Sequence, residues 1–162
     1  MVLFMGRGFE MVMRGHSTMG RLVVHAHGVP KEKALKHLVE MYADRLKARG
    51  VRIEYHSSKQ TTQAYIERLL GLGGTLLLLD EHGQQETSEA FARRFEAWQL
   101  GTKDVHLALG PAEGWKKDDR LVDVPRLSLS SMTFPHEFAT VMLIEQLYRA
   151  SEIQRGTGYH KA

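Results

Sequence analysis

The stretch Ser128-Leu-Ser-Ser-Met-Thr-Phe134 sets hydroxyls among apolar side chains. Ser128, Ser130, Ser131 and Thr133 can hydrogen-bond an adenine edge or a ribose, while Met132 and Phe134 can cover a flat ring. The same residues suit a helix-capping turn with Thr133 as N-cap and Pro135 in the first helical turn, and both readings can hold together. A second segment, Gly110-Pro-Ala-Glu-Gly114, would let the backbone approach a ligand, because glycine carries no Cβ; it also has the composition of an ordinary turn. Neither GxGxxG nor GxxxxGK[ST] occurs, so phosphate-cradling nucleotide hydrolysis has no support.

The tail Gln154-Arg-Gly-Thr-Gly-Tyr-His-Lys-Ala162 mixes Tyr159 and His160 with Arg155 and Lys161. That set suits stacking on a splayed base and holding its phosphates, and equally a solvated chain end. Nine histidines invite a metal reading, but none forms an HExxH pair. His25 and His27 alternate along a strand-like run and read as core or surface histidines, so no metal site is expected. Order alone defines no Ser-His-Asp triad.

These residues need elements to hold them. RLVVHAH (21–27) reads as a strand, followed by an amphipathic helix over 31–49 with Leu35, Leu38, Val39, Tyr42 and Leu46 at helical spacing and Gly50 as its stop. VRIEYH (51–56) alternates as a strand, TTQAYIERLL (61–70) is helical with threonines able to cap it, and TLLLLD (75–80) is an apolar strand. EHGQQET (81–87) reads as a loop, SEAFARRFEAWQL (88–100) as a helix, and DVHLALG (104–110) as a strand. A long connection over 111–125 leads to RLSLS (126–130) and, past Pro135, to a last helix. Strands that alternate with helices and are apolar throughout predict an α/β doubly wound fold: about five mostly parallel strands with helices on both faces. Ligands of such sheets bind outside the carboxyl ends of strands, which singles out the loops that start at Asp80, Gly110 and Ser130. The last helix, with its Val141-Met-Leu-Ile144 run, is apolar on nearly every side and calls for cover beyond one sheet, such as a partner subunit.

At 162 residues and 43% hydrophobic, the chain suits one core. The formal charge of +3 is compatible with an anionic partner such as nucleic acid. Absence of cysteine excludes disulfides and thiolate chemistry and fits a cytoplasmic location. No apolar run approaches the roughly 20 residues of a membrane span. Residues 1–18 lack periodicity and a continuous apolar stretch; they read as a disordered leader or a start placed too far upstream, with a single domain over 19–162.

MTFPHEFATVMLIEQLYRA, the RGTGYHK tail, LGPAEG and TLLLLDEHG together resemble the RlmH family of SPOUT-class methyltransferases. The resemblance runs from Met19 to the C-terminus and is most specific in the last third. It implies methylation of N3 of a pseudouridine in 23S ribosomal RNA from S-adenosyl-L-methionine, by a cytoplasmic homodimer acting on the large subunit or the assembled ribosome. It also implies a C-terminal trefoil knot, which general topology rules would have discarded. Carried over by motif, Leu79, Gly110, Leu129, Ser130, Ser131, Met132, Thr133 and Phe134 would surround the cofactor. Tyr159 and His160 would assist methyl transfer, and Arg149, Arg155 and Lys161 would hold RNA phosphates. Two departures stand out: Gly110 is followed by Pro111 and Ala112 where the family pairs glycines, and the first strand leads into Ala26-His-Gly-Val29 rather than an AVGK-like turn. A SPOUT methylase for another RNA base and a non-catalytic nucleotide-binding α/β module remain alternatives.

Overall fold

The computed structural model describes residues 21–161; the leader expected over 1–18 lies outside them. The elements run β1 (Leu22–His27), α1 (Lys33–Leu46), a 3₁₀ turn (Lys47–Arg49), β2 (Val51–His56), α2 (Thr62–Leu70), β3 (Thr75–Gln85), α3 (Ser88–Leu100), β4 (Val105–Ala108), a second 3₁₀ turn (Asp119–Leu121), β5 (Arg126–Ser128) and α4 (His136–Arg155). The five strands form one sheet in the order β2-β1-β4-β3-β5, and each recorded pairing is parallel. The predicted α/β class and strand number agree with this architecture.

The two faces of the sheet are dressed differently. Leu22, Val24, Val51, Leu77, Leu79, Val105, Leu107 and Leu127 pack on Leu46 of α1, Phe91 and Phe95 of α3, and Leu143, Ile144 and Leu147 of α4. Among the described residues the opposite face meets a single helix: Tyr65, Ile66 and Leu69 of α2 close over Leu78 and Ala108, with Leu121 beside them. Threonines begin two helices as their types suggest: the hydroxyls of Thr61 and Thr87 accept from the amides of Ala64 and Ala90, each at 3.1 Å. No helix among the described residues is long and apolar enough to cross a membrane.

Two local expectations are corrected. Residues 81–85, expected in a loop, belong to β3, which pairs with β5 at Leu79–Leu127 and again at Gln84–Leu127. Asp80 to Gly83 therefore form a bulge, after which the strand rejoins its neighbour. Gly83 permits the contact, since a Cβ there would lie 2.7 Å from the carbonyl carbon and oxygen of Arg126. Thr133 is not a helix cap: Pro135 is the extended N-cap residue of α4 and makes no side-chain cap bond. The Thr133 hydroxyl donates instead to the Glu81 carboxylate, a charged acceptor.

Candidate functional site

Three chain segments leave the carboxyl ends of β3, β4 and β5 and enclose a cavity of about 280 Å³. Leu79, Asp80 and Glu81 come from β3; Leu109 to Trp115 follow β4; Leu129, Ser130, Met132, Thr133, Phe134, His136 and Ala139 follow β5. These are the loops that the parallel-sheet pattern singled out. Of the residues expected around a ligand, Leu79, Gly110, Leu129, Ser130, Met132, Thr133 and Phe134 line the cavity. Ser131 is exposed and does not.

Hydrogen bonds fix the shape of the walls. The Ser128 hydroxyl lies 2.7 Å from the Ser130 carbonyl and 3.0 Å from that of Glu81, tying the turn to the bulge of β3. The Met132 amide donates to the Ser130 hydroxyl at 3.1 Å. Asp80 is paired with Arg126 and accepts from the His82 amide at 3.0 Å. Burial raises its pKa, but the His82 amide and the Arg126 guanidinium outweigh that and hold the carboxyl below the usual carboxylate range. Asp80 is thus an anionic strut, while Glu81 turns its carboxylate toward Thr133 at the cavity wall.

Trp115 is the residue sequence reasoning missed. Its indole N–H donates to the Leu79 carbonyl at 2.8 Å, and its ring stacks on Tyr65 with centroids 5.7 Å apart and planes 9° from parallel. A Cβ on Gly110 would meet the same indole at 3.2 Å. Within the chain, then, the bare face of Gly110 accommodates Trp115, an addition to the ligand-approach reading of that glycine. The Tyr65 hydroxyl donates to the Leu109 carbonyl at 2.8 Å, and burial keeps its proton well above the ordinary phenol range. A single tryptophan beside the charged run Lys116 to Arg120 was the only signal available in the sequence. Glu113, on the cavity rim, is tied to α2 by the Thr62 hydroxyl at 2.6 Å.

The tail residues gather elsewhere. Tyr159 donates to Glu145 at 2.9 Å and meets Tyr148 edge-on at 4.8 Å. An Arg149 guanidinium nitrogen, which can only donate, lies 3.1 Å from His160 Nδ1, so Nδ1 accepts. Nε2 then carries the proton and donates to Glu89 at 3.0 Å. Arg149 also pairs with Glu145 at 2.8 Å and lies over the Tyr159 ring. Arg155 pairs with Glu152 at 3.3 Å, and Lys161 is exposed. Neither Tyr159 nor His160 lines the cavity, nor does any of these polar partners. From Ala139, at the cavity, to Glu145 is six residues along α4, about 9 Å of helix.

Comparison with known proteins gives a consistent answer. Residues 21–160 match the family described as "Predicted SPOUT methyltransferase". The chain is 36% identical over 123 residues to ribosomal RNA large subunit methyltransferase H of Acidovorax ebreus (strain TPSY), an alignment spanning 72% of this chain and 79% of that protein. It is 37% identical over 155 residues to the protein of the same name from Anaeromyxobacter sp. (strain Fw109-5), spanning 87% and 99%. Against that of Hyphomonas neptunium (strain ATCC 15444) identity reaches 44% over 91 residues, spanning 56% and 59%.

Proposed function

The chain belongs to the SPOUT methyltransferase family, and from that premise we propose that it methylates N3 of a pseudouridine in 23S ribosomal RNA with S-adenosyl-L-methionine as methyl donor. The observation that carries the reading is the convergence of the three strand-end loops on one cavity. Its volume of about 280 Å³ lies just below the roughly 300–1,000 Å³ usual for small-molecule sites. The donor set fits the methyl donor. Leu79, Leu109, Leu129 and Phe134 supply apolar cover for a purine, and Ser130, Thr133 and loop backbone supply partners for a ribose. Glu81 and Glu113 at the wall and rim have the sign opposite to a sulfonium. When bound, that cofactor supplies an electrophilic methyl group.

The chain's own contribution is positioning, which can lower a two-reactant barrier by about 7–11 kcal/mol. The loops would hold the methyl group facing the cavity mouth and exclude water from it. The N3 proton of the base must also leave, with charge developing on the neighbouring carbonyls. Burial, then hydrogen bonding with Tyr42 and Glu145, pushes the pKa of Tyr159 up, and its one O–H, which donates to Glu145, would have to turn to such a carbonyl to assist. His160 would present a ring whose tautomer Arg149 and Glu89 fix. Arg149, Arg155 and Lys161 would face RNA phosphates.

A homodimer follows from the same proposal. Because the tail gathers about 9 Å along α4 from its own cavity, the Tyr159–His160 pair of one protomer would complete the cavity of the other. Phe138, 51% exposed, and Met132, 70% exposed, offer apolar surface for the partner beside the mouth. The trefoil knot is part of this proposal, carried over from membership of the SPOUT family. A ribosomal substrate places the work in the cytoplasm.

Mass spectrometry of 23S rRNA from a deletion strain tests the reading. Loss of 3-methylpseudouridine, restored by the wild-type gene and not by His160→Ala, is expected. Retention of the modified base overturns it, and methylation of a different base redirects it to another RNA target.

A further inference from the structure

The face of the sheet under α2 carries a row of histidines that the cavity does not use. His25 of β1, His56 of β2 and His106 of β4 stand on three adjacent strands, 0%, 6% and 6% exposed. His25 Nδ1 lies 2.9 Å from His56 Nε2, and His25 Nε2 lies 2.8 Å from His106 Nδ1. Glu54 is the register partner of His25 on β2 and so shares its face. One ligand atom each from His25, Glu54 and His56 fall within 4.8 Å of one another.

From this geometry we propose that His25 Nδ1, His56 Nε2 and the Glu54 carboxylate bind a first-row divalent transition cation of the Zn²⁺ class, with His106 as the outer partner that orients His25. Two imidazoles and a carboxylate match the ligand preferences of Zn²⁺, Co²⁺ and Ni²⁺ and leave a fourth position for water. Metal–nitrogen bonds of about 2.0–2.1 Å at a tetrahedral angle place two nitrogens about 3.4 Å apart. The facing nitrogens therefore need to part by about 0.5 Å from their hydrogen-bonded separation.

Protonation favours the arrangement. A neutral imidazole has one N–H, so His25 donates through one nitrogen and accepts through the other. With Nε2–H donating to His106, the Nδ1 lone pair of His25 faces His56, which is the ring orientation that an outer-shell acceptor gives a metal-ligating histidine. Binding replaces the proton between the two rings: the proton on His56 Nε2 moves to its Nδ1, both rings stay neutral, and two metal–nitrogen bonds form. Glu54, with a side chain 33% exposed, opens the site to solvent; its bond from Arg68 is long, 3.4 Å. A bound ion would clip the edge strand β2 to β1.

The test uses the untagged full chain, stripped with a chelator and titrated with Zn²⁺ by calorimetry and with Co²⁺ by visible absorption. Saturation at one ion per chain is expected, with the d–d spectrum of a four- or five-coordinate site. His56→Gln and Glu54→Gln should each weaken binding at least ~10-fold. His106→Gln should weaken it about 10-fold with stoichiometry kept, in line with loss of an outer-shell partner. His37→Gln, on the exposed side of α1, should leave it unchanged. Absence of saturable binding, or undiminished affinity in His56→Gln, overturns the proposal. Should the variants fail to fold, X-ray absorption of the Zn²⁺-loaded wild-type protein decides: two imidazole ligands sustain the site, and a shell without imidazole removes it.

Discussion

Among the described residues, one face of the sheet lies under three helices and is almost wholly aliphatic and aromatic; the other lies under α2 and carries His25, His56 and His106 in hydrogen-bonded contact. The strands are the same, and alternate residues of each serve the two faces. The first face is held by burial, which has no direction and tolerates rearrangement. The second combines a smaller apolar cluster under α2 with paired polar groups, each of which depends on its neighbour's protonation. Stability on the first face should follow volume, and on the second it should follow pH and pairing.

The sharpest contrast is expected from Phe95 of α3, 0% exposed in the three-helix core. Phe95→Ala should cost about 3–5 kcal/mol through lost transfer energy and a cavity, with little dependence on pH. A melting point lowered by about 6–20 °C is expected for a chain of this size. A shift of only a degree or two would mean that α3 is not packed as described.

Next comes the pH dependence of the histidine face. His25 is driven to about 4 from its ordinary 6.5, so the folded protein excludes a proton that the unfolded chain binds. Stability from this source is fully present above pH 6.5, falls as pH drops from 6.5 toward 4, and is gone below that; linkage makes the loss roughly 3 kcal/mol. Burial lowers His56 and His106 as well, and both act in the same direction. Urea midpoints of the chelator-treated protein across that window should show the slope. The triple variant His25→Val/His56→Val/His106→Val should flatten it, at small cost at pH 8, because all three partners are replaced together. A slope equally steep in the triple variant would place the titration elsewhere.

The first face was legible in the sequence and the second was not. TLLLLD and the Leu35-to-Leu46 spacing announce buried strands and an amphipathic helix by periodicity, and the strand ends pointed to the three loops that line the cavity. The histidine row needs residues 31 and 81 positions from His25, brought together only by strand order, which no spacing motif encodes. The return of β3 to β5 was hidden for another reason. Glu81-His-Gly-Gln-Gln85 has loop composition, and only the pressure of the β5 backbone on Gly83 shows why a strand continues there. Thr133 was misplaced as a cap because a threonine before a helix satisfies a local rule, while its actual partner, Glu81, is 52 residues away.

Gly83 tests that pairing of β3 with β5 with a smaller effect. Its missing Cβ would fall 2.7 Å from the Arg126 carbonyl and 2.8 Å from the Leu127 carbonyl carbon, all backbone atoms that no side-chain rotation can clear. Gly83→Ala should cost about 1–3 kcal/mol by forcing β5 away from β3, and should weaken S-adenosyl-L-methionine binding, because β5 leads into the cavity wall. Gly50→Ala, away from the cavity, is the control on space, with nothing within 4 Å of its Cβ, although its φ of +72° strains the backbone. Equal binding by wild type and Gly83→Ala would show that the close approach of β3 to β5 does not set the cavity.

The smallest effect is expected where the two faces meet. Tyr65 touches the histidines, at 5.2 Å from His27 and 5.0 Å from His56, and stacks on Trp115, whose N–H reaches the Leu79 carbonyl beneath the cavity. Trp115→Phe keeps an aromatic ring on Tyr65 but removes that donor, leaving the carbonyl for water; the net loss should be about 0.5–1.5 kcal/mol. The hydrogen bond holds the end of β3 against the glycine loop, so loss of it should loosen the cavity more than it loosens the fold. The measurable signature is a split: a melting point lowered by only a few degrees, with cofactor affinity reduced several-fold. A proportionate fall in both would make Trp115 an ordinary core residue of the α2 face, and unchanged affinity would separate the cavity from that face altogether.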